Sequence, residues 1–257
     1  MMNIKILIAT HKKYQMPADE IYLPIHVGKE GKEIELGYTP DNTGDNISSK
    51  NANYCELTAL YWAWKNLDAD YIGLAHYRRH FSFKNKGDKW TSILNAKETQ
   101  KLCEQNDVIV PNKRKYYIET NYSHYIHAHK KEGLDLMIET VKQDYPDYAA
   151  ACDLVMHKKT WAHMFNMFVM KREFADKYCE WLFDVLFKVE DKLDIADYSA
   201  SEARVFGYLS ELMLDIWLIT NKIKYFECPV MFVEKQNWFR KGGAFLRRKV
   251  LSERGKK

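Results

Sequence analysis

The sequence predicts an α/β fold, GT-A-like or Rossmann-like in outline, with a mostly parallel or mixed β-sheet flanked by helices. Residues 4–10 (IKILIAT) form a continuous apolar run, which is typical of a central strand covered on both faces. Similar runs then alternate with segments of helical periodicity, and such alternation favours a sheet with helical connections. Hydrophobic residues occupy 46% of the 257 positions, so the chain can bury a substantial core.

The first helix is predicted over residues 49–66. Leu57, Tyr61 and Trp64 recur there at helical spacing, and Asn53 precedes Glu56 at the spacing of a capping box. The residues before this helix, 37–51, are rich in Gly, Asn, Asp and Ser and predict a loop. Later elements are predicted as strands within residues 70–81, 107–111 and 166–171 and as a helix at 132–144.

Basic residues are concentrated at the C-terminus. The formal net charge is +4, but residues 239–257 contain eight of the 39 Lys and Arg and only one of the 35 Asp and Glu. This tail therefore carries +7 and the rest of the chain −3. Because the basic residues are not interleaved with aromatic residues over one face, nucleic-acid binding is not expected. We predict one domain over residues 1–238, followed by the basic tail.

The five cysteines contain no C-x-x-C pair, and reduced thiols in a cytoplasmic protein are expected. The N-terminal apolar run of about five residues is too short for a signal peptide, and no run approaches the ~20 apolar residues of a membrane span. The chain is therefore expected to be neither secreted nor membrane-spanning by itself.

The apolar run of residues 70–81 ends in a polar sequence, His76, Tyr77, Arg78, Arg79 and His80. Ligands of open α/β sheets bind beyond the carboxyl ends of the strands, and a guanidinium matches carboxylate or phosphate. Adjacent arginines on an extended strand cannot face the same way, so one is expected in the crevice and the other at a neighbouring loop. A structural ion pair within the fold is the alternative.

Five segments of the chain resemble a bacterial family. They are GDNISSKNANYCELTALYWAWKN, YIGLAHYRRHF, YPDY with the preceding HYIHAH, NMFVMKREFADKYCEWLFDVL and RVFGYLSELMLDIWL. The family is that of capsular and exopolysaccharide glycosyltransferases still catalogued as a domain of unknown function. The resemblance implies a GT-A-like enzyme that transfers a hexose from a nucleotide diphosphate sugar to a surface-polysaccharide acceptor. A galactose-type sugar is the first candidate for this hexose.

The resemblance also identifies a departure at the diphosphate. GT-A enzymes usually end the corresponding strand with Asp-x-Asp, which binds a divalent metal. Here the strand ends in His-Tyr-Arg-Arg, so Arg78 or Arg79 is expected to act as the catalytic clamp on the diphosphate, and no cofactor is expected. The alternative is Mn²⁺ or Mg²⁺ held by Asp68 and Asp70, although that pair precedes the strand.

Substrate-binding positions are likewise implied by the resemblance. Thr10 and His11 end the first strand, where GT-A folds hold the base and ribose, and His76 and Tyr77 end the second. Matching family motifs add Asp45, Asn46, Ser48, Asn51, Tyr125, His129, Asn166 and Arg204. Plain helix capping is an equal alternative for the group from Asp45 to Asn51, and a buried, backbone-satisfied amide is the alternative for Asn166.

A general base for the acceptor hydroxyl must be an approachable carboxylate near the crevice. Glu211 matches a family motif that includes Arg204 and is the candidate, while a structural pair between these two side chains stays open. Other available carboxylates are Asp194, Asp197 and Glu202.

Two further groups complete the candidates. His124 and His127, near Tyr125 and His129, resemble a metal site, but a His-x-His without a carboxylate partner is a weak zinc signal. Aromatic side chains stack on sugar rings or fill cores. We predict an acceptor groove lined by Trp161, Trp238 and Tyr116, and a core containing Tyr61, Trp62, Trp64, Trp181 and Trp217.

The partners implied by the resemblance are a UDP-hexose donor and a lipid-linked glycan acceptor at the inner face of the cell membrane. The basic tail is expected to hold the enzyme peripherally on anionic lipid there, with Phe245, Leu246, Val250 and Leu251 in the interface if the stretch after Gly243 is helical. The alternative function is a non-catalytic sugar-nucleotide-binding or scaffolding protein of a polysaccharide assembly complex.

Overall fold

A central mixed sheet organises the protein, for which the computed structural model describes residues 2–83 and 88–234. Within these residues the sheet has nine strands, and two more form a separate ribbon. In chain order the strands are β1 (Ile4–Thr10), β2 (Tyr22–His26), β3 (Thr39–Pro40), β4 (Tyr71–His76), β5 (Arg79–Phe81), β6 (Val108–Pro111), β7 (Arg114–Lys115), β8 (Trp161–Ala162), β9 (Phe168–Lys171), β10 (Phe226–Cys228) and β11 (Val230–Phe232).

The main path of the sheet runs β10, β6, β9, β4, β1, β2, β3. β1 pairs in parallel with β2 and β4, β2 with β3, and β6 with β10. β9 runs antiparallel between β4 and β6. The predicted mostly parallel or mixed sheet is therefore confirmed, and the carboxyl ends of β1, β2 and β4 lie together at one edge.

Helices flank this sheet, and the helix predicted at 132–144 is present. They are α1 (Asn51–Tyr54), α2 (Leu57–Asn66), α3 (Ala96–Cys103), α4 (Asn121–Ile126), α5 (Glu132–Asp144), α6 (Ala149–His157), α7 (Arg172–Glu190) and α8 (Val205–Thr220). No helix in the described part of the chain is long and apolar enough to cross a membrane. The predicted domain boundary at residue 238 and the basic tail lie outside the described residues.

Both faces of the sheet are covered, because alternate residues of β1 enter different cores. Leu7 and Ala9 pack in the core that α2, α7 and α8 help to build, whereas Ile6 and Ile8 pack in the core on the other side. Of the aromatic residues predicted in the core, Trp62, Trp181 and Trp217 are buried; Tyr61 and Trp64 are partly buried and pack against the first core.

The helix predicted over residues 49–66 is broken at Cys55. This residue has φ +53° and ψ −129°, which is not helical, and it separates α1 from α2. The predicted capping box is wrong, because Asn53 donates to the carbonyl of Ala203 at 2.8 Å and the Glu56 side chain caps no helix. Instead, the Glu56 carboxylate accepts a hydrogen bond from Asn166 at 2.9 Å.

The polar sequence after β4 is a hairpin, so the run of residues 70–81 holds two strands rather than one. Tyr77 and Arg78 form the turn, and His76 lies opposite Arg79 where β5 returns antiparallel to β4. β11 then pairs antiparallel with β5. The chain reverses at this point, which places the polar side chains at the carboxyl end of β4.

Gly73, in the middle of β4, is a point of close approach between neighbouring strands. A Cβ built there would lie 3.0 Å from atoms of Ile6, Phe168 and Val169. We expect Gly73→Val to lower the free energy of unfolding by roughly 1–3 kcal/mol, the usual cost of overpacking a core, and Gly73→Ala to lower it less. Urea denaturation measures both, and equal stability of all three proteins would contradict this packing.

Candidate active site

Titratable side chains from four separate segments meet beyond the carboxyl end of β4. His76 and Arg79 come from the hairpin, and Glu56 comes from the break before α2. Arg204 lies in the turn that precedes α8, and Glu211 lies in the first half of α8. We call the region bounded by these five residues the crevice.

Arg79 is the central cation of the crevice. Its guanidinium carbon lies 4.5 Å from the centre of the Phe165 ring and 5.7 Å from that of Phe232. In the described part of the chain no carboxylate lies within 4.0 Å of this guanidinium, and its Nε has no hydrogen-bond partner. Burial lowers the pKa of Arg79, whereas the charges of Glu211 and Glu56 raise it. Arg79 is thus partly desolvated and lacks a direct ion pair.

Arg78 has a different environment. Its Nη1 lies 3.6 Å from the Glu234 carboxylate, and the side chains of Arg78 and Glu234 are 40% and 42% exposed. Tyr14 donates to the other Glu234 oxygen at 3.2 Å. The two adjacent arginines therefore diverge, and it is Arg79 that shares its surroundings with Glu56 and Glu211.

Glu211 is the carboxylate with the most perturbed pKa in the crevice. Burial raises its pKa to about 7, and the negative charge of Glu56 adds to this effect. Arg79 and Arg114 act in the opposite direction, as does the backbone N–H of Phe165, which donates to Glu211 Oε1 at 3.1 Å. A carboxyl group with a pKa near neutrality can exchange a proton under ordinary conditions.

The loop before β9 holds both carboxylates in place. Phe165 and Asn166 have φ values of +80° and +54°, a region that costs non-glycine residues of order 1 kcal/mol or more. The Asn166 amide donates to Glu56 and to the carbonyl of Gly207 at 2.9 and 3.0 Å, and its oxygen accepts from Ser210 at 2.8 Å. Asn166 is therefore satisfied by the protein and positions Glu56.

The histidines at the ends of β1 and β4 have lowered pKa values. Burial, followed by the charges of Arg79 and Arg78, lowers the pKa of His76 to about 2. Partial burial, with the charge of Lys12, also lowers the pKa of His11. Tyr77 is buried in the turn, and its ring centre lies 4.2 Å from that of His76 and 5.8 Å from that of His11.

Thr10 closes a local turn. Its hydroxyl donates to the carbonyl of Lys12 at 2.8 Å and accepts from the N–H of Lys12 at 3.3 Å, and the residue is 1% exposed. The side chain therefore fixes the path of the chain into His11.

Arg204 lies beside the chain break at Cys55 and the ring of Tyr208. Its Nε donates to Cys55 Sγ at 3.1 Å, and its guanidinium carbon lies 5.3 Å from the Tyr208 ring centre. The structural pair between Arg204 and Glu211 left open by the sequence does not form. His129 stacks on Tyr208 and contacts Tyr125, so these three rings continue the wall next to Arg204.

The loop residues implied by the resemblance are engaged in local structure. Asp45 accepts from Tyr61 at 3.2 Å near the far end of α2, and Asn46 bonds within its own turn. Ser48 donates to the buried Asp41, and Asn51 donates to the carbonyl of Cys55 at 2.8 Å. Asn51 thus supports the break beside the crevice, whereas Asp45 lies at the end of α2 remote from Glu56.

The rival carboxylates also have local roles. Asp194 accepts from the N–H of Ala196 at 2.9 Å, and Glu202 accepts from the Ser199 hydroxyl at 2.8 Å. Asp197 is exposed in the same segment.

The alternative metal pair lies at the opposite end of β4. Asp70 accepts from the N–H of Asn3 at 2.7 Å, and the Asp68 carbonyl accepts from the Asn3 side chain at 2.8 Å. Among residues 2–83 and 88–234, no three His, Cys, Asp or Glu side chains are grouped as a metal ion would need. The donor set of the crevice therefore does not fit a divalent metal.

The histidine cluster has a carboxylate partner that the sequence interpretation missed. Glu119 is 4% exposed, and its two oxygens lie 2.8 and 2.7 Å from Nδ1 of His124 and His127. Glu119 precedes His124 by 5 residues and His127 by 8, so the sequence spacing is a signal that could have indicated it.

Of the three aromatic residues predicted to line an acceptor groove, Tyr116 does not fit that role. Tyr116 is buried and stacks on His124, so it does not offer an open face. Trp161 is partly buried beneath Lys159 and Lys113, whose Nζ atoms lie 3.8 and 4.5 Å from its ring centre. Trp238 lies outside the described residues.

The comparisons with known proteins agree with this geometry at the level of family and fold. A family model described as a domain of unknown function, DUF4422, matches residues 5–222. The chain belongs to the DUF4422 family. The family resemblance predicted from the sequence is thereby confirmed. Comparison with curated proteins gives no match.

Among solved structures, this DUF4422 chain is similar to the apo structure of WbbM, a bifunctional glycosyltransferase, with 34% sequence identity and a TM-score of 0.84. The match covers 91% of this chain and 46% of the WbbM chain. The DUF4422 chain thus spans less than half the length of that protein and shares the fold of the part it matches.

The raised pKa of Glu211 has a measurable effect on stability. The folded chain keeps this proton up to about pH 7, whereas the ordinary value is 4.5, so the folded state binds more protons between these values and loses stability as the pH rises through them. We expect Glu211→Gln to remove that part of the pH dependence. Urea denaturation between about pH 5 and pH 8 tests this.

Glu180→Gln, an exposed carboxyl on α7, is the matched control and should reproduce the wild-type profile. Because His76 and other groups also titrate, the difference between the variant and wild-type curves is the informative quantity. Superimposable curves for Glu211→Gln and wild type would show that Glu211 ionises normally.

Proposed function

We propose that the chain is a glycosyltransferase that moves a hexose from a UDP-sugar to a surface-polysaccharide acceptor. A galactose-type sugar is the first candidate for this hexose. The observation that carries this proposal is that Arg79, which has no ion pair among the described residues, lies in one crevice with Glu211, a carboxyl of near-neutral pKa. The similarity to WbbM, a bifunctional glycosyltransferase, supports the same class of reaction.

Arg79 supplies the positive charge that the departing diphosphate requires. A partly desolvated guanidinium without a carboxylate in contact is unfavourable on its own, and an anionic ligand would compensate it. As the bond between the sugar and the diphosphate breaks, negative charge develops on the leaving oxygen, and a fixed cation stabilises it. Arg78, already paired with Glu234, has the secondary role of extending this positive surface.

Glu211 supplies the base. The acceptor hydroxyl must lose a proton as its oxygen bonds to the sugar, and a carboxylate with a pKa of about 7 is matched to that transfer. Glu56 keeps the pKa of Glu211 high by like-charge repulsion. His11, His76, His129 and Arg204 are proposed to form the surrounding surface for donor and acceptor, and the buried rings of Tyr77 and Tyr125 pack against the three histidines.

This proposal assigns the neutralisation of the diphosphate to Arg79 rather than to a metal. The acceptor is proposed to be a lipid-linked glycan at the inner face of the cell membrane, reached from the cytoplasm. The basic residues 239–257 are proposed to contribute to contact with anionic lipid, as their charge of +7 favours.

Donor binding should raise the melting temperature. We expect millimolar UDP-galactose to stabilise the wild-type chain equally in EDTA and in manganese, because the clamp is a side chain. Arg79→Gln should abolish most of the shift, and Arg78→Gln should reduce it less, since Arg78 has its own partner. Differential scanning fluorimetry with a panel of nucleotide sugars measures this.

Stabilisation by another nucleotide class alone would refute the donor assignment. A shift seen only with manganese would instead support a metal site at Asp68 and Asp70 or at the histidine cluster.

Turnover should depend on both charges of the crevice. We expect Arg79→Gln and Glu211→Gln each to lower kcat by ~10²-fold or more, and wild-type activity to rise with pH through about 7 as Glu211 loses its proton. Glu202→Gln is the matched control. A donor that binds tightly but is turned over by no variant or wild type would favour the non-catalytic, scaffolding function.

A further inference from the structure

A small basic and apolar surface projects beside the crevice from the ribbon of β7 and β8. In this ribbon Arg114 pairs with Ala162 and Lys115 with Trp161. The loop that follows β7 is attached at both ends to the segment before β8, through Tyr116 N–H to the Thr160 carbonyl at 2.7 Å and Asn121 N–H to the Lys159 carbonyl at 3.0 Å. Residues 117 and 118 form its outer part.

The two outer residues of this loop are apolar and unusually exposed. Tyr117 is 79% exposed and Ile118 is 63% exposed. Tyr117 also has φ +62°, a left-handed conformation that a tyrosine rarely adopts and that turns the chain outward here. Two adjacent large apolar side chains in water cost free energy that burial against an apolar medium would recover.

Positive charge flanks these side chains. Arg114, Lys115 and Lys158 are exposed, and Lys159 is half-buried over Trp161. In the described residues no carboxylate lies within 4.0 Å of any of these four cations. The acid of the loop, Glu119, is turned inward onto its two histidines, so it does not offset the charge at the surface.

This surface adjoins the crevice. Arg114 is near enough to Glu211 to lower the pKa of that carboxyl. The pKa of Tyr116, two residues after Arg114, is lowered by the charge of Arg114 and raised by that of Glu211. The Arg114 end of this surface therefore lies near the proposed active site.

We propose that Arg114, Lys115, Tyr117, Ile118 and Lys158 form a docking surface for an anionic lipid bilayer, separate in the fold from the C-terminal tail. Basic residues beside one or two inserted apolar side chains are the composition that binds membrane interfaces. A nucleic acid would call for stacking platforms along a groove, and a soluble anion would not need the exposed isoleucine. If the proposed function holds, this surface turns the crevice toward a lipid-linked acceptor.

Amide hydrogen exchange of the full chain tests this without donor, acceptor or turnover, so its result is independent of the proposed function. Vesicles of phosphatidylcholine containing phosphatidylglycerol should slow exchange at residues 114–120 and leave residues 29–35 unchanged. Pure phosphatidylcholine should have little effect. Exchange at residues 239–257 in the same experiment reports on the tail.

Sedimentation with the same vesicles gives the energetics. Each basic residue near an anionic surface contributes about fivefold in partitioning, so Lys115→Gln with Lys158→Gln should weaken binding by about 25-fold at low salt. Tyr117→Ser with Ile118→Ser should weaken it about tenfold or more. Ile34→Ser, at a residue 67% exposed elsewhere, and Lys97→Gln with Lys101→Gln on α3 are the matched controls.

The proposal is wrong if the chain sediments with anionic vesicles while exchange at 114–120 is unchanged, since another surface then does the binding. It is also wrong if the wild-type chain does not sediment. Slowed exchange at 114–120 that increases with protein concentration in the absence of lipid would assign the surface to a second copy of the chain.

Discussion

The charge balance at the carboxyl end of β4 is the constraint on which the crevice depends. One guanidinium, Arg79, shares a partly desolvated space with two carboxylates, Glu56 and Glu211, without touching either. Direct contact would neutralise the cation and lower the pKa of its partner. Separation keeps the cation available to an anion and keeps one carboxyl protonated near neutrality, so the same spacing gives the crevice two opposite chemical capacities.

That separation is maintained by backbone that is not in its preferred conformation. Cys55, Phe165 and Asn166 all have positive φ, and all three adjoin the crevice. Cys55 separates α1 from α2 just before Glu56, Phe165 aims its N–H at Glu211, and Asn166 aims its amide at Glu56. Such conformations persist only where surrounding packing determines them, and here the two cores of the sheet supply that packing.

The sequence is sufficient for several of the elements and for part of the crevice. Hydrophobic patterns predict β1, β6 and α5, and the position of Arg79 at the end of an apolar run predicts that it lies beyond the carboxyl end of a strand. Both signals are local in sequence. Glu56 was misassigned because its spacing from Asn53 imitates a capping box, and a non-glycine residue with positive φ leaves no trace in composition. The motif from Asp45 to Asn51 matched the family, yet side-chain direction follows from tertiary contacts such as that of Ser48 with Asp41.

The pairing of β11 with β5 connects the end of the described chain to the crevice. Phe232 lies opposite Arg79 in that ladder, and Glu234, two residues later, reaches Arg78. A force applied to the chain at residue 234 would therefore act on a ladder of three residue pairs, one of which contains Arg79. If opening of that ladder changes the affinity of Arg79 for an anion, thermodynamic linkage requires that binding of the anion change the equilibrium constant for opening the ladder by the same factor.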